Sequence, residues 1–570
     1  MEPIISFKNY TFKYSAGAEP VLKDISLDIF PGEKILITGV AGSGKSTLAG
    51  CINGLISSEK AVEIAGELFV DGKNVKTLDA VQLSRIVGTV LQDIDMQFVG
   101  ATIGEDIAFA LENDCVAPAD MKATVHRAAA LVNADALLER APSELSDGQR
   151  RRVAIAGLIV DETKIVIFDA PLTGLDPIAA RHSVTLINSI AQHTKSTLII
   201  IEPRIEDVLY RDLDRIILMD KGCIISDMSP DEMLCTDVLA EHGLREPLYL
   251  AALKYAGVSL TPEKCPRRFD TLALSMSDKI KVSKWFHDDN IIKGELKREV
   301  LLEVKNASFG YDGEALLNDV SFCVNRGDMV AVTGRNGAGK STLAKLICGF
   351  EILDAGYIRL DGQSLLNMTI RERAQKIGFV PQNPNILLSQ ETAFDELAFS
   401  LHLQGRDEGE IIERADDMLK ICGLYDLRKA PVSSLSYSEK RRLSLASVLV
   451  LTPPILIIDE PAAGFDLNQY FEIMDYLLKL NDEGTTIILL TTDLELMLEY
   501  ASRVIILSNG TLAADETPAQ LLCDKEHLKQ ASLKETSLYT LANACYITPP
   551  EDLCTRLIRV ERQVRDYVEE

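Results

Sequence analysis

Two nine-residue segments hold the residues best suited to chemistry. Gly39-Val40-Ala41-Gly42-Ser43-Gly44-Lys45-Ser46-Thr47 and Gly334-Arg335-Asn336-Gly337-Ala338-Gly339-Lys340-Ser341-Thr342 both satisfy the pattern G-x-x-x-x-G-K-[ST]. Glycines let successive backbone N–H groups turn toward one anion, and a helix opening at the lysine adds its dipole. Lys45 and Lys340 would then reach the β- and γ-phosphates of a nucleotide, and Ser46 and Ser341 would ligate Mg²⁺. Further along, Asp169 and Asp459 each close an apolar run, where a carboxylate can hold Mg²⁺ through water. Glu460 follows Asp459 and can take a proton from an attacking water. A single glycine-rich match could be a chance turn, and a lone Asp-Glu pair a solvated one. Two matching loops, each with an acid-ended strand downstream, argue against both.

These residues need strands and helices to position them. Lys34 to Thr38 and Met329 to Thr333 are short apolar runs of buried-strand type leading into the two loops, and each following segment reads as a helix. Lys164 to Phe168, Ile455 to Ile458, Thr197 to Ile201 and Thr486 to Leu490 are also central-strand runs. Strands alternating with helical segments predict α/β layers around parallel strands. The loops recur 295 residues apart, and Gln92/Gln382, Ser146/Ser436 and Asp169/Asp459 recur 290 apart. Solenoid repeats are far shorter, so this is a duplicated domain. The boundaries expected are residues 1–257 for the first copy, 258–298 for a connector, and 299–570 for the second copy with a C-terminal extension to which no chemistry is assigned.

Composition narrows the class. The 570 residues are 47% hydrophobic and 25% charged, ordinary for a globular chain. Lys and Arg number 59 against 85 Asp and Glu, a formal net charge of −26, which argues against a general nucleic-acid binder. No apolar run reaches the length of a membrane span, and the N-terminus lacks the form of a signal peptide. The eleven cysteines never form C-x-x-C, which fits a reducing compartment and an intracellular protein.

Leu145-Ser146-Asp147-Gly148-Gln149-Arg150-Arg151-Arg152 opens a predicted helix with Ser146 as N-cap. Here the sequence resembles the ATP-binding cassette (ABC) family, whose signature reads approximately LSGGQ. The resemblance covers nearly the whole chain outside the connector. It implies two tandem P-loop ATPase domains of α/β class, each with a mainly parallel sheet, an antiparallel β part and a helical subdomain. It implies ATP and Mg²⁺ as cofactors, with Ser46, Gln92, Asp169, Ser341, Gln382 and Asp459 around the metal. Gln92 and Gln382 correspond to the family's Q-loops, Asp176 and Asp466 to its D-loops, and Tyr14 and Tyr311 to the aromatic that stacks on adenine. Either tyrosine alone could equally be core. Gly104 to Phe109, Phe394 to Phe399, Glu202 to Val208 and Leu244 to Tyr249 resemble energy-coupling factor (ECF) ATPases, which power uptake of vitamins and transition-metal ions. Membrane-embedded coupling and substrate-binding subunits are the implied partners, with residues 92–105 and 382–395 as the docking surface. The implied location is the cytoplasmic face of the membrane.

In this family each nucleotide lies between one half's phosphate loop and the other half's signature, the halves pairing head to tail. On that arrangement the departures segregate. Ala170 replaces the catalytic glutamate and Pro203 the switch histidine, while the second signature, Leu435-Ser436-Tyr437-Ser438-Glu439, has lost its glycine and glutamine. All fall in the composite site of the first loop. The other joins Gly334, Asn336, Gly337, Gly339, Lys340, Ser341, Thr342, Gln382, Asp459 and Glu460 to Ser146, Gly148 and Gln149. Its one departure is Thr492 at the histidine position. The expectation is one holding site (Lys45, Ser46, Thr47, Gln92, Asp169, Ser436) and one hydrolysing site, with Glu460, Gln382 and Thr492 in catalytic roles. A non-hydrolysing regulatory ATP-binder and a twin-cassette ATPase acting outside transport stay open as alternatives.

Overall fold

In the computed structural model of the chain, the described residues are 2–14, 19–56, 63–161, 163–287, 299–311, 313–461, 465 and 467–569. They form two compact units, residues 1–254 with 258–275, and residues 255–257 with 276–570.

The core of the first unit is a six-stranded sheet in the order Cys223–Met228, Arg215–Asp220, Lys34–Thr38, Thr197–Ile201, Ile165–Asp169, Val87–Val90. All neighbours are parallel except the edge hairpin of Arg215–Asp220 with Cys223–Met228. Ile35 to Ile37, Ile165 to Phe168 and Leu198 to Ile201 are buried throughout. Such continuous apolar runs belong to parallel strands covered on both faces. Beside it stands an antiparallel sheet of Leu22–Ile29, Ile5–Lys13, Glu63–Val70 and Lys73–Asn74. The second unit repeats the plan: Ile377–Val380, Ile455–Asp459, Thr486–Leu490, Met329–Thr333, Arg503–Ser508, Thr511–Glu516 in the main sheet, with Val300–Tyr311 and Glu314–Asn325 in the antiparallel one. The acid-ended strands therefore stand as expected, with Asp169 and Asp459 as final strand residues.

Each unit also carries a helical part. In the first it comprises Ile103–Asn113, Pro118–Leu131 and Asp147–Asp161, and in the second Ala393–Leu403, Glu408–Ile421 and Tyr437–Leu449. Local chemistry sets their starts. Thr102 with Glu105, and Ser436 with Glu439, form reciprocal capping boxes that satisfy N-terminal amides. The C-terminal extension is built into the second unit. Its helix Glu551–Glu569 packs on Leu494–Tyr500, Pro518–Leu521 and Ser537–Ala544, burying Leu553, Cys554 and Leu557.

One glycine in each unit joins the two sheets beneath the phosphate loop. Gly222, at φ +84°, donates its N–H to the Ser43 carbonyl (3.1 Å) and accepts from the Lys23 amide (2.8 Å). A Cβ there would sit 2.4 Å from the Val21 carbonyl oxygen. Gly510 repeats the arrangement against Leu316, accepting from Asn318. A side chain would add left-handed strain to a backbone collision. Gly222→Ala should lower stability by about 2 kcal/mol or more. Urea denaturation of the full chain measures this, and a loss below about 0.5 kcal/mol would refute the geometric account.

Candidate functional site

The main sheet brings three strand ends to one edge in each unit. Ile37 and Asp169 both pair with Ile201, and Val332 and Asp459 both pair with Leu490. The loop after the first strand, the acid ending the second, and the residues after the third therefore converge. This is the edge at which open α/β sheets take ligands.

The phosphate loops require their glycines. Gly39 (φ +149°) and Gly334 (φ +151°) leave no room for a Cβ, which would lie 2.1 Å from the Met219 carbonyl oxygen and 2.2 Å from that of Leu507. Gly44 and Gly339, both left-handed, cap the helices Lys45–Ile52 and Lys340–Cys348. Gly42 and Gly337 also have positive φ and face open space. Lys45 Nζ donates to the carbonyls of Gly39 (2.8 Å) and Val40 (2.7 Å), and Lys340 Nζ to that of Gly334 (2.7 Å). Each cation thus spans the mouth of its own loop, poised to exchange carbonyls for phosphate oxygens. Ser341 Oγ donates to Asp459 Oδ2 at 2.6 Å, and Ser46 pairs likewise with Asp169. Burial pushes both aspartates up, and these hydroxyls pull them down. A hydroxyl and a carboxylate so paired form an all-oxygen set of the kind a hard cation takes.

Tyr14 is brought to the loop: its hydroxyl lies 3.1 Å from Thr47 Oγ1, its ring exposed and edge-on to Phe12. Tyr311 is equally exposed, edge-on to Phe309, and its hydroxyl reaches Glu351 at 3.4 Å instead. Thr342 is buried beside Lys340, Asn336 is exposed on its loop, and Gln92 and Gln382 are both exposed just past the edge strands. Asp176 Oδ1 caps the helix Pro177–Thr194 by accepting from Ala179, an ordinary structural role, whereas Asp466 lies outside the described residues.

Around Glu460 the structure adds residues that sequence patterns did not single out. Glu460 sits at φ +52°, and its Oε2 accepts a hydrogen bond from Thr491 Oγ1 at 3.4 Å. Burial, with Asp459 and Asp493 nearby, pushes its carboxyl up to about 7 against the pull of Lys340. A carboxyl poised there is suited to accept a proton near neutrality. Thr491, not Thr492, is the threonine that touches it. Arg441, almost fully buried, donates to the carbonyls of Pro381, Asp459 and Glu460. Arg151 does the same for Ala170 and Thr173 in the first unit. Both follow a signature serine by five residues, a spacing the sequence displays but whose partners are visible only in three dimensions.

The first unit keeps the backbone and changes the charges. Ala170 has φ +49° and hydrogen-bonds to Ile201 as Glu460 does to Leu490 (both 2.8 Å), so only the side chain is lost. At the place of Thr491 stands Glu202, buried, its carboxylate accepting the Leu172 amide at 3.1 Å and facing Arg204 Nε at 3.5 Å. Arg204 in turn donates to the Leu172 carbonyl.

The two signatures also differ. Ser146 N donates to Gln149 Oε1 at 2.9 Å, and Ser436 N to Glu439 Oε2 at 2.7 Å. Glu439 thus preserves the local capping bond while placing a carboxylate at the helix start. A Cβ at Gly148 would meet Leu175 Cδ2 at an ordinary 3.8 Å, so packing within the unit does not demand a glycine there. Ser438 occupies the matching position.

Comparison with known proteins settles the family. The family described as "ABC transporter" matches residues 22–173 and 317–463, and one described as "ATP-binding cassette cobalt transporter" matches 236–309. The chain belongs to the ABC transporter family. It is an ABC-type ATPase with two nucleotide-binding domains fused in one chain. A Clostridium perfringens protein bearing the name "Putative ABC transporter ATP-binding protein" is 49% identical over 99% of both chains. Proteins of the same designation from Enterococcus faecalis (46%, 99% of both chains) and Lactobacillus johnsonii (44%, 99% of this chain and 98% of that one) are also similar. A solved structure titled as cbiO1 of Clostridium perfringens, "Part of the ABC transporter complex cbiONQ", aligns at 31% identity with TM-score 0.37, over 40% of this chain and 94% of that one.

For this ABC ATPase the Ala170–Glu202 exchange has a consequence. By analogy with the Glu460–Thr491 contact of the second unit, a glutamate at 170 would stand against the buried Glu202, and like charge raises a carboxyl's pKa by about one unit or more. Ala170→Glu should therefore be less stable than Ala170→Gln by about 1.4 kcal/mol or more at pH 8. The raised group is protonated in the folded state at low pH, so the gap should close as pH falls toward 5. Denaturation of both variants at the two pH values checks this; equal stabilities at pH 8 would contradict it.

Proposed function

We propose that the chain is the ATP-hydrolysing subunit of an ECF-type importer for a vitamin or transition-metal ion, with one holding site and one working site. The observation that carries this reading is the unequal furnishing of the two sheet edges. Glu460 stands beside Asp459 with a raised carboxyl and a hydroxyl partner, while Ala170 stands beside Asp169 with Glu202 tied to Arg204. Losing a general base costs about 10²–10⁴ in rate.

The working site takes Lys340 on the phosphates, Glu460 as the proton acceptor, Gln382 and Thr492 near the terminal phosphate, and the intact signature Ser146, Gly148 and Gln149 from the other half. Mg²⁺ fits the oxygens of Ser341, Asp459 and Gln382 here, and those of Ser46, Asp169 and Gln92 in the holding site. Bound Mg²⁺ would offset charge on the β- and γ-phosphates. In the holding site, ATP on Lys45 and Ser46 meets the Ser436 signature and clamps the halves in a head-to-tail pair.

Membrane attachment through partner subunits follows from the same reading. Among the described residues no helix is long and apolar enough to cross a membrane. The segments after Gln92 and Gln382 expose apolar side chains, Met96 at 78%, Val99 at 64% and Ile386 at 76%. They are suited to receive a helix from a membrane-embedded coupling subunit, with a substrate-binding subunit beyond it, at the cytoplasmic face. The cobalt-transporter match over residues 236–309 supports the solute class.

A second reading, an ATP-binder without turnover, is favoured by one observation: neither Pro203 nor Thr492 is the histidine of the family pattern. Hydrolysis assays separate the two. On the importer reading the full chain turns over Mg-ATP, and Glu460→Gln lowers the rate by about 100-fold or more while ATP stays bound. Equal inactivity of wild type and variant, with membrane partners present, would favour the second reading. Lys340→Ala should abolish turnover, whereas Lys45→Ala should leave a measurable rate and empty one of the two sites. Equal losses of rate and of nucleotide in the two variants would remove the asymmetry.

A further inference from the structure

The second signature has gained a side chain that the family pattern does not contain. Tyr437 is the first residue of the helix Tyr437–Leu449, directly after the N-cap Ser436. Its hydroxyl donates to the Gln382 carbonyl at 3.4 Å. One turn further along the same helix face, Arg441 donates to the carbonyl of Pro381, the residue before Gln382. Two side chains of one helix therefore hold two consecutive carbonyls of the Gln382 segment. Arg441 also holds the carbonyls of Asp459 and Glu460. Leu443, Leu445, Ala446 and Leu449 anchor the same helix in the core.

We propose that Tyr437 is a positioning residue that couples the two nucleotide sites, tying the second signature to the Gln382 segment. The inference rests on the asymmetric reading above, in which this signature meets the nucleotide held by the first phosphate loop. Gln382 and Glu460 serve the nucleotide held by the second. A shift at the start of the helix, caused by nucleotide on its signature, thus reaches the groups that position the attacking water. The tyrosine bond is at the long end of the hydrogen-bonding range. A movement of about half an ångström brings it near the usual O–H···O separation or loses it. The contact is therefore sensitive to small displacements. In the first signature the corresponding residue is Asp147, which carries no phenol hydroxyl. The arginine link is present in both copies, and the tyrosine adds to it in the second signature, on the way from the holding site to the working one.

The test compares the full chain, Lys45→Ala, Tyr437→Phe and the double variant in single-turnover hydrolysis of radiolabelled Mg-ATP with enzyme in excess, a format that resolves slow rates. Phenylalanine keeps the exposed ring and removes only the hydroxyl. Tyr437→Phe should slow hydrolysis by about 2- to 10-fold, the worth of one neutral hydrogen bond, with ATP affinity at the second loop unchanged within about 2-fold. Lys45→Ala should slow it at least as much. The double variant should be no slower than Lys45→Ala alone, because the connection has already lost its input. Multiplying effects, or a Tyr437→Phe chain matching wild type, would overturn the proposal. The asymmetric reading fails differently: Lys45→Ala and Lys340→Ala would then be equally damaging. If Lys45→Ala instead left hydrolysis untouched while Tyr437→Phe still slowed it, the tyrosine would only position Gln382 and the coupling would be refuted.

Discussion

A guanidinium buried without partners would cost several kcal/mol, and Arg441 is satisfied by main-chain carbonyls from separate segments, with the charges of Asp459 and Glu460 adding to them. Those carbonyls belong to the residue before Gln382, to the acid that ends the strand Ile455–Asp459, and to Glu460. None can move independently without leaving charge unsatisfied in a low-dielectric interior. The signature helix, the Gln382 segment and Glu460 are thereby held as one assembly. Arg151 imposes the same constraint on Ala170 and Thr173 in the first unit. This helps hold the left-handed turn at Ala170, which matches the one at Glu460.

Much of the fold was legible because parallel strands buried on both faces write themselves as unbroken apolar runs. Lys34 to Thr38 and Ile455 to Ile458 needed no further context. The phosphate loops were legible for a related reason, since Gly39 and Gly334 lie against carbonyl oxygens that exclude any side chain. Arg441, Thr491, Tyr437 and Glu202 were harder. An arginine five residues after a signature serine looks solvated until the carbonyls it meets are known. Thr491 and Thr492 are adjacent and chemically alike, and only the strand register decides that Thr491 faces Glu460. Residues 258–275 also gave no warning of where they pack, yet Tyr249, buried against Phe269, ties that stretch to the first unit.

The first unit differs from the second by a changed charge pattern and not by a missing side chain alone. A lone alanine in place of Glu460's counterpart would leave room for water near the phosphate loop. Glu202 and Arg204 instead fill the end of the neighbouring strand with an ion pair anchored to both backbone groups of Leu172. Glu202 and Arg204 both hold partners within the unit. Lys45 and the Ser46–Asp169 pair remain beside them, so the means of holding a polyphosphate survive.

Holding and cleaving differ in what they ask of a protein. Retention needs donors and cations that match the ground state, whereas turnover needs groups that interact more strongly with the transition state. Duplication within one chain lets the two demands be met by separate copies of the same backbone. The altered Tyr437-Ser438-Glu439 and the intact Asp147-Gly148-Gln149 can then diverge without unbalancing each other. On the proposed head-to-tail arrangement, the altered signature would face the copy that carries Ala170 at the position of Glu460. It is therefore released from serving hydrolysis, and a bulky tyrosine can be accepted there. Once accepted, the tyrosine lies one helical turn from Arg441, in reach of the assembly that holds Glu460. Relaxed demands on one nucleotide thus leave a surface on which control of the other can be built.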